Sequence, residues 1–153
     1  MPPPPTSLAQ RQHRLIHDIY VLLDDGDRRV LEALKLSPLE FSVLQHLDQT
    51  HGRRLTDVGA ELLCVKSTTT RVVDRLVADG LVVRTPDPDD RRAQRLLLTD
   101  RGAAVREESA RLHRAAVDRR LGMLSPVEQH ELVELLEKLR SGLRLDLARA
   151  NGR

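Results

Sequence analysis

The chain has 153 residues, 40% of them hydrophobic and 31% charged, which suits one folded unit of ordinary size with a densely charged surface and excludes global disorder. Its 25 Lys and Arg stand against 23 Asp and Glu for a formal net charge of +2, so the placement of charge matters more than its sum. Tyr20 and Phe41 are the only aromatic residues, so the interior must be built from Leu, Val and Ala, and the stacking platforms that single-stranded nucleic acid needs are missing.

Met1 to Ser7, "MPPPPTS", reads as an extended, disordered Pro-rich tail, because proline cannot enter a helix interior. From Leu8 to about Leu34 the apolar residues Leu15, Ile16, Ile19, Leu22, Leu23, Val30 and Leu34 recur at helical spacing and predict a first helix. "DDGD" at Asp24 to Asp27 is a candidate break in it, since glycine costs about 1 kcal/mol in a helix interior. "SPLE" at Ser37 to Glu40 starts a second helix running to about Gln49, with Ser37 as cap, Pro38 at the first helical position and Glu40 reaching back.

"RLTDVGAELLCV" and "KSTTTRVVDRLVAD" then predict two helices a few residues apart, the second ended by Gly80, which is a helix-turn-helix pattern. "LVVRT" and "AQRLLLT" have strand character and flank the polar run "PDPDDRR", predicting a β-hairpin with a long tip. Thr99 caps a further helix through Val105, Leu112, Ala116 and Leu121. "SPVE" at Ser125 to Glu128 opens the last one, with Leu132, Leu135, Leu136, Leu139, Leu143 and Leu147 as a leucine stripe. The expected fold is mainly α with one β-hairpin: a winged helix-turn-helix core over about 37–99, in a single domain spanning 8–153.

A helix enters the major groove when one face is polar and exposed and the other docks on a partner helix. At 100° per residue Thr69, Val72, Val73 and Leu76 share the docking side, whereas Ser67, Arg71, Asp74 and Ala78 point away, with Thr68 and Thr70 on the flanks. Ser67, Thr68 and Thr70 then supply hydroxyls for base edges or phosphate, Arg71 forks onto guanine and Lys66 suits a phosphate. In a β-ribbon wing, Arg91 and Arg92 at the tip are placed for the narrow minor groove. Aspartates beside phosphate are a liability unless paired, so Asp90 is expected to structure the wing by holding an arginine or capping loop amides. The plain alternatives are a solvated Ser/Thr face and a loop that only closes a hairpin.

These residues carry a resemblance. "TRVVDRL", "DGLV" followed by Arg84, "DDRR" and the Leu-Leu-Thr-x-x-Gly run ending at Gly102 are similar to the winged helix-turn-helix of the MarR (multiple antibiotic resistance regulator) family. Asp90 and Arg92 match its D-x-R wing signature. The resemblance implies a homodimeric transcription regulator, a repressor by family habit, that binds a palindromic double-stranded DNA operator and is released by a small-molecule effector. It implies dimerisation helices over about 8–34 and 100–148, and entry of Arg92 into the minor groove. By position it offers His17, Tyr20, Phe41 and His113 as effector contacts. Val65 stands where the family usually has a capping Ser, Thr or Asn, and Gly59 where Ala is usual.

Other chemistries find little support. Neither a Gly-rich phosphate loop, a G-x-S-x-G elbow nor an H-E-x-x-H pair occurs, so an enzyme with a cofactor is not expected. His13 and His17 are spaced i,i+4, yet no second pair of ligands converges with them, so no metal is expected. Cys64, the single cysteine, excludes an internal disulfide; beside Lys66 it leaves a thiol-sensing regulator as an alternative, and an interaction protein without operator specificity is another. No signal-peptide pattern or apolar run of membrane-spanning length occurs, which predicts a cytoplasmic protein without a membrane partner.

Overall fold

A computed structural model of the protein describes residues 7–90 and 92–151. The helices are α1 (Leu8–Leu31), α2 (Pro38–Gln45), α3 (Leu55–Glu61), α4 (Lys66–Ala78), α5 (Asp100–Leu121) and α6 (Pro126–Asn151), with a 3-10 turn at Glu32–Leu34. The strands are β1 (Arg53–Arg54), β2 (Val82–Pro86) and β3 (Gln94–Leu98). The chain forms two compact units, one ending at Arg114 and the other beginning at Ala115, both within α5.

Caps set most of the boundaries. Ser7 closes a capping box with Gln10 and so begins α1 rather than ending the tail; Met1 to Thr6, the rest of the expected tail, lie outside the described residues. α1 runs unbroken through Gly26, where the expected break does not occur. Ion pairs from Asp24 to Arg28 (2.7 Å) and from Asp25 to Arg29 (2.9 Å) brace the turn on either side of that glycine. Ser37 and Glu40 form the expected box at α2, and Ser125 and Glu128 form it again at α6.

α2 stops at Gln45, short of the expected Gln49. Turn chemistry takes over there: Asp48 Oδ1 accepts from the amides of Thr50 (2.7 Å) and His51 (2.6 Å), and Gly52 adopts a φ of 62°. The turn delivers Arg53 and Arg54 to β3 as an additional strand, paired Arg53 to Leu96 and Arg54 to Arg95. The hairpin is therefore part of a three-stranded antiparallel sheet in the order β1-β3-β2. β2 and β3 pair from Val82 with Leu98 to Pro86 with Gln94, within a residue of the predicted strands.

α3 ends at Glu61 rather than Val65, because Leu63 turns left-handed (φ 52°) and the Cys64 amide returns to the Gly59 carbonyl at 2.9 Å. Gly59 lets α3 approach α4 closely: a Cβ there would lie 2.9 Å from Thr69 Oγ1. α4 starts at Lys66 with Val65 at its cap position and no side-chain cap. It ends at Ala78, just before the left-handed Gly80 (φ 68°), beyond which the Leu81 amide returns to Leu76 O at 2.9 Å.

The first unit's core joins the end of α1 to α2, α3, α4 and the sheet. Leu31, Val43, Leu44, Leu47, Val58, Val73, Leu76, Val82 and Leu96 are all buried in it, and Phe41 packs against its edge. Burial of this aliphatic set is what fixes the exposed elements described next.

Candidate nucleic-acid interface

α4 is two-faced, as its spacing predicts. Thr69, Val73 and Leu76 are buried, Val72 is half-buried, and Lys66, Ser67, Arg71, Asp74 and Ala78 are exposed. Thr68 and Thr70 are half-buried on the flanks. The Thr70 hydroxyl donates to Lys66 O at 2.8 Å, which leaves its oxygen as an acceptor. Lys66 and Arg71 make no ion pair with a described residue, so both ammonium and guanidinium are available to phosphate or base.

Beside α4, the starts of α3 and α4 and the inner side of the wing enclose a cleft of about 580 Å³. Arg54, Lys66, Thr70, Arg84, Arg92 and Gln94 line it. The structure thus brings the expected Lys66, Thr70 and Arg92 together and adds Arg54 and Arg84, which the sequence reading did not single out. Ser67, Thr68 and Arg71 are not in this lining and belong to the helix surface beyond it. Arg84 stands in one of the motifs that carry the resemblance; its partner Asp74, at 2.5 Å, ties β2 to α4. That pairing also screens the one carboxylate on the exposed face of α4 from a polyanion.

Of the two roles expected of Asp90, the wing gives it the capping one and leaves the arginines to a neighbouring aspartate. Asp90 Oδ1 accepts the Arg92 amide at 3.0 Å, so it caps a loop amide. The arginines are held by Asp87, whose side chain is fully buried. Its Oδ2 accepts from Arg54 Nε at 2.7 Å and Arg95 Nε at 2.9 Å. Its Oδ1 accepts from the amides of Asp89 (2.9 Å) and Asp90 (3.1 Å). The Arg54 bond, against the cost of burial and with help from Arg95, holds the Asp87 carboxyl far below the usual carboxylate range. Arg91 lies outside the described residues; Arg92 is exposed at the tip.

The expected effector contacts separate into two sets. Phe41 and His113 stack with ring centroids 4.7 Å apart, and His113 Nε2 lies 3.4 Å from Asp27 Oδ2 on α1. Tyr20 and His17 are exposed further back along α1, Tyr20 roughly 10 Å of helix rise from Asp27. Cys64 is half-buried and its Sγ points to Leu62 O at 3.4 Å. Among the described residues no three His, Cys, Asp or Glu side chains stand together as a metal site, and no helix is long and apolar enough to cross a membrane.

Comparison with known proteins decides the family. The MarR family model matches residues 36–93, from the cap of α2 through the wing. The multiple antibiotic resistance protein MarR of Escherichia coli is 31% identical over 99 residues, covering 65% of this chain and 69% of that one. The chain belongs to the MarR family. A further relative, the uncharacterised regulator YkoM of Bacillus subtilis, is 36% identical over 102 residues, covering 67% of this chain and 66% of that protein's length. Among solved structures, the repressor CouR bound to a 23-mer DNA duplex superposes with a TM-score of 0.76 at 27% identity, covering 88% of this chain and 92% of that one. A mutant E. coli MarR complexed with operator DNA gives 0.77 at 29% identity, covering 83% and 91%. This MarR-family protein is accordingly a winged helix-turn-helix transcription regulator and not an enzyme.

Proposed function

We propose that this MarR-family regulator is a cytoplasmic homodimer that binds a palindromic double-stranded operator with sequence specificity and represses transcription until a small effector releases it. The observation that carries the reading is one surface on which an exposed polar helix face, a cation-lined cleft and an arginine-tipped wing meet around Lys66, Thr70 and Arg92. Ser67, Thr68, Thr70 and Arg71 read base edges in the major groove, Lys66 holds a phosphate, and Arg91 and Arg92 enter the minor groove. Solved relatives of similar fold carry DNA, which supports the same use here.

Dimerisation through the helices over about 8–34 and 100–148 is supported by what they leave uncovered. On α1, Leu15, Ile16, Ile19 and Leu22 are exposed, and on α6 Leu135, Leu136, Leu139 and Leu143 are exposed; apolar rows of this length mark interaction surfaces. A two-fold pair sets two recognition helices about one duplex turn, roughly 34–36 Å, apart. The stacked Phe41 and His113 beside Asp27 are the better-placed effector contacts, with His17 and Tyr20 completing the set only if a partner copy covers α1.

The test is competition binding of operator against random duplex across a salt series. Operator preference of about 10³ or more is expected, with log K falling as salt rises. Arg92→Ala is expected to cost about 1–3 kcal/mol of operator binding with an unchanged thermal midpoint. Equal affinity for random DNA overturns the proposal.

A further inference from the structure

Why does a wing meant for a polyanion carry three aspartates in four residues? Two of them, Asp89 and Asp90, give their amides to the third. Asp87 has two oxygens with two donors each: Oδ2 takes Arg54, the β1 residue that precedes α3, and its strand partner Arg95 on β3, and Oδ1 takes two successive amides of the wing tip. Arg54 is 33 residues distant in sequence. The next bond in the series runs from the Arg92 amide to Asp90 Oδ1, so the backbone that bears Arg92 hangs from a turn that Asp87 has already fixed. The loop is closed by Asp87 N to Ala93 O at 3.0 Å and Ala93 N to Asp90 O at 2.9 Å.

We propose that Asp87 is a positioning residue for DNA reading: it joins the wing tip to β1 at the cap position of α3, so that Arg92 meets the minor groove at a fixed offset from the recognition helix α4. The inference rests on the operator-binding function proposed above. A buried carboxylate with both oxygens doubly bonded has a single geometry, whereas a loop held by amides alone pivots at its strand ends. Its charge lies inside the protein, neutralised by two guanidinium groups, and so does not oppose the phosphates.

Asp87→Asn separates the two halves of this knot. The asparagine oxygen still accepts both loop amides, but its NH2 faces the Arg54 and Arg95 donors with donors of its own, so the tie to β1 is lost. The experiment is a double-mutant cycle on operator binding with Asp87→Asn and Arg92→Ala, with far-UV circular dichroism and thermal melts of every variant. Asp87→Asn is expected to weaken operator binding about tenfold in the unaltered background and less than about twofold when Arg92 is already alanine. It is also expected to remove most of the preference for A·T over G·C pairs where the wing lies, while a base change under α4 costs what it costs the unaltered protein. Additive losses in the cycle, or equal loss of both preferences, overturn the proposal. Should Asp87→Asn fail to fold, Arg54→Met, which cuts the tie to β1 and leaves Arg95 and both amides on Asp87, carries the same cycle and the same criteria. Absence of operator preference in the unaltered protein would instead overturn the proposed function, and this inference with it.

Discussion

Two regions of the chain handle apolar residues in opposite ways. From α2 to β3 most large aliphatic side chains are wholly or half buried: Val43, Leu44, Val58, Val73, Leu76 and Leu96 are at or below 1% exposure, with Leu63, Val65 and Val83 the exposed exceptions. Along α6 the reverse holds, with Leu135 at 66%, Leu139 at 42%, Leu143 at 54% and Leu147 at 62% exposed. The first region spends its polar residues on an exact internal architecture of caps, turns and ion pairs that leaves a charged reading surface. The second has little to satisfy but a long leucine row, capped at Ser125 and open along its length. A segment that meets its own needs is a folding unit, and one that does not presents a surface suited to a partner, as the proposed dimer requires.

The largest expected effect breaks the second region alone. Leu139→Glu with Leu143→Glu places two charges on one face of α6, four residues apart. On the proposed dimer this abolishes self-association, read as a halved mass in sedimentation equilibrium, and lowers operator affinity by about 100-fold or more, since each subunit then binds a half-site alone. The melting signal of the region from α2 to β3 is expected to persist. A double variant that still sediments as a dimer removes the assignment of α6 to the interface.

The next effect breaks the first region instead. Gly102 is in the first turn of α5, where a Cβ would lie 1.9 Å from Leu81 O, a backbone atom that cannot step aside. The same turn is tied down by Thr99, whose hydroxyl donates to Gly80 O at 2.7 Å and accepts the Gly102 amide at 2.9 Å. Gly102→Ala therefore forces α5 and the α4–β2 corner apart and is expected to cost about 1–3 kcal/mol of stability by overpacking, read by urea denaturation. Alanine at Gly142, with nothing within 4 Å on α6, is expected to stabilise its helix slightly. A neutral Gly102→Ala would show that this corner is looser than its geometry.

The difference between these glycines was only partly legible in the sequence. Caps written in local residues were readable: Ser37 with Pro38 and Glu40, Ser125 with Glu128, Thr99, and the Gly80 stop all stand where the spacing put them. So was the two-faced pattern of α4, down to the burial of Thr69 among apolar neighbours. Long-range pairing was not. β1 has two residues, too few to show alternation, and exists because Leu96 and Arg95 lie opposite. Nothing local in "PDPDDRR" tells which aspartate turns inward, because the choice depends on Arg54 arriving from β1. Gly26 misled in the other direction: its conformational cost is real, but it lies between two i,i+4 ion pairs that keep α1 continuous.

The smallest expected effect sharpens the comparison through acid. Backbone donors from His51 and Thr50 lower the Asp48 carboxyl from 3.8 to about 2. Asp87 lies lower still because of Arg54, and Glu61 is lowered by Arg53. On α6 the described carboxylate so shifted is Glu128, lowered by its bonds with Ser125. Each value lies below that of an unfolded chain, so the unfolded state binds more protons as pH falls; the stabilisation is complete above the ordinary value and is lost on the way down through the folded one. Neutral to mildly acid solution is thus expected to leave these contributions untouched, and the thermal midpoint of the α2–β3 region to drop between about pH 4 and pH 2 as Asp48 takes up its proton. Asp48→Asn keeps an oxygen for the two amides but cannot titrate, so it is expected to flatten that drop in melts followed across the same window. The Asp87 carboxyl is lowered as well, by Arg54 first, so the ion pairs of the wing are expected to persist through the same neutral to mildly acid range as the turn that delivers β1 to it.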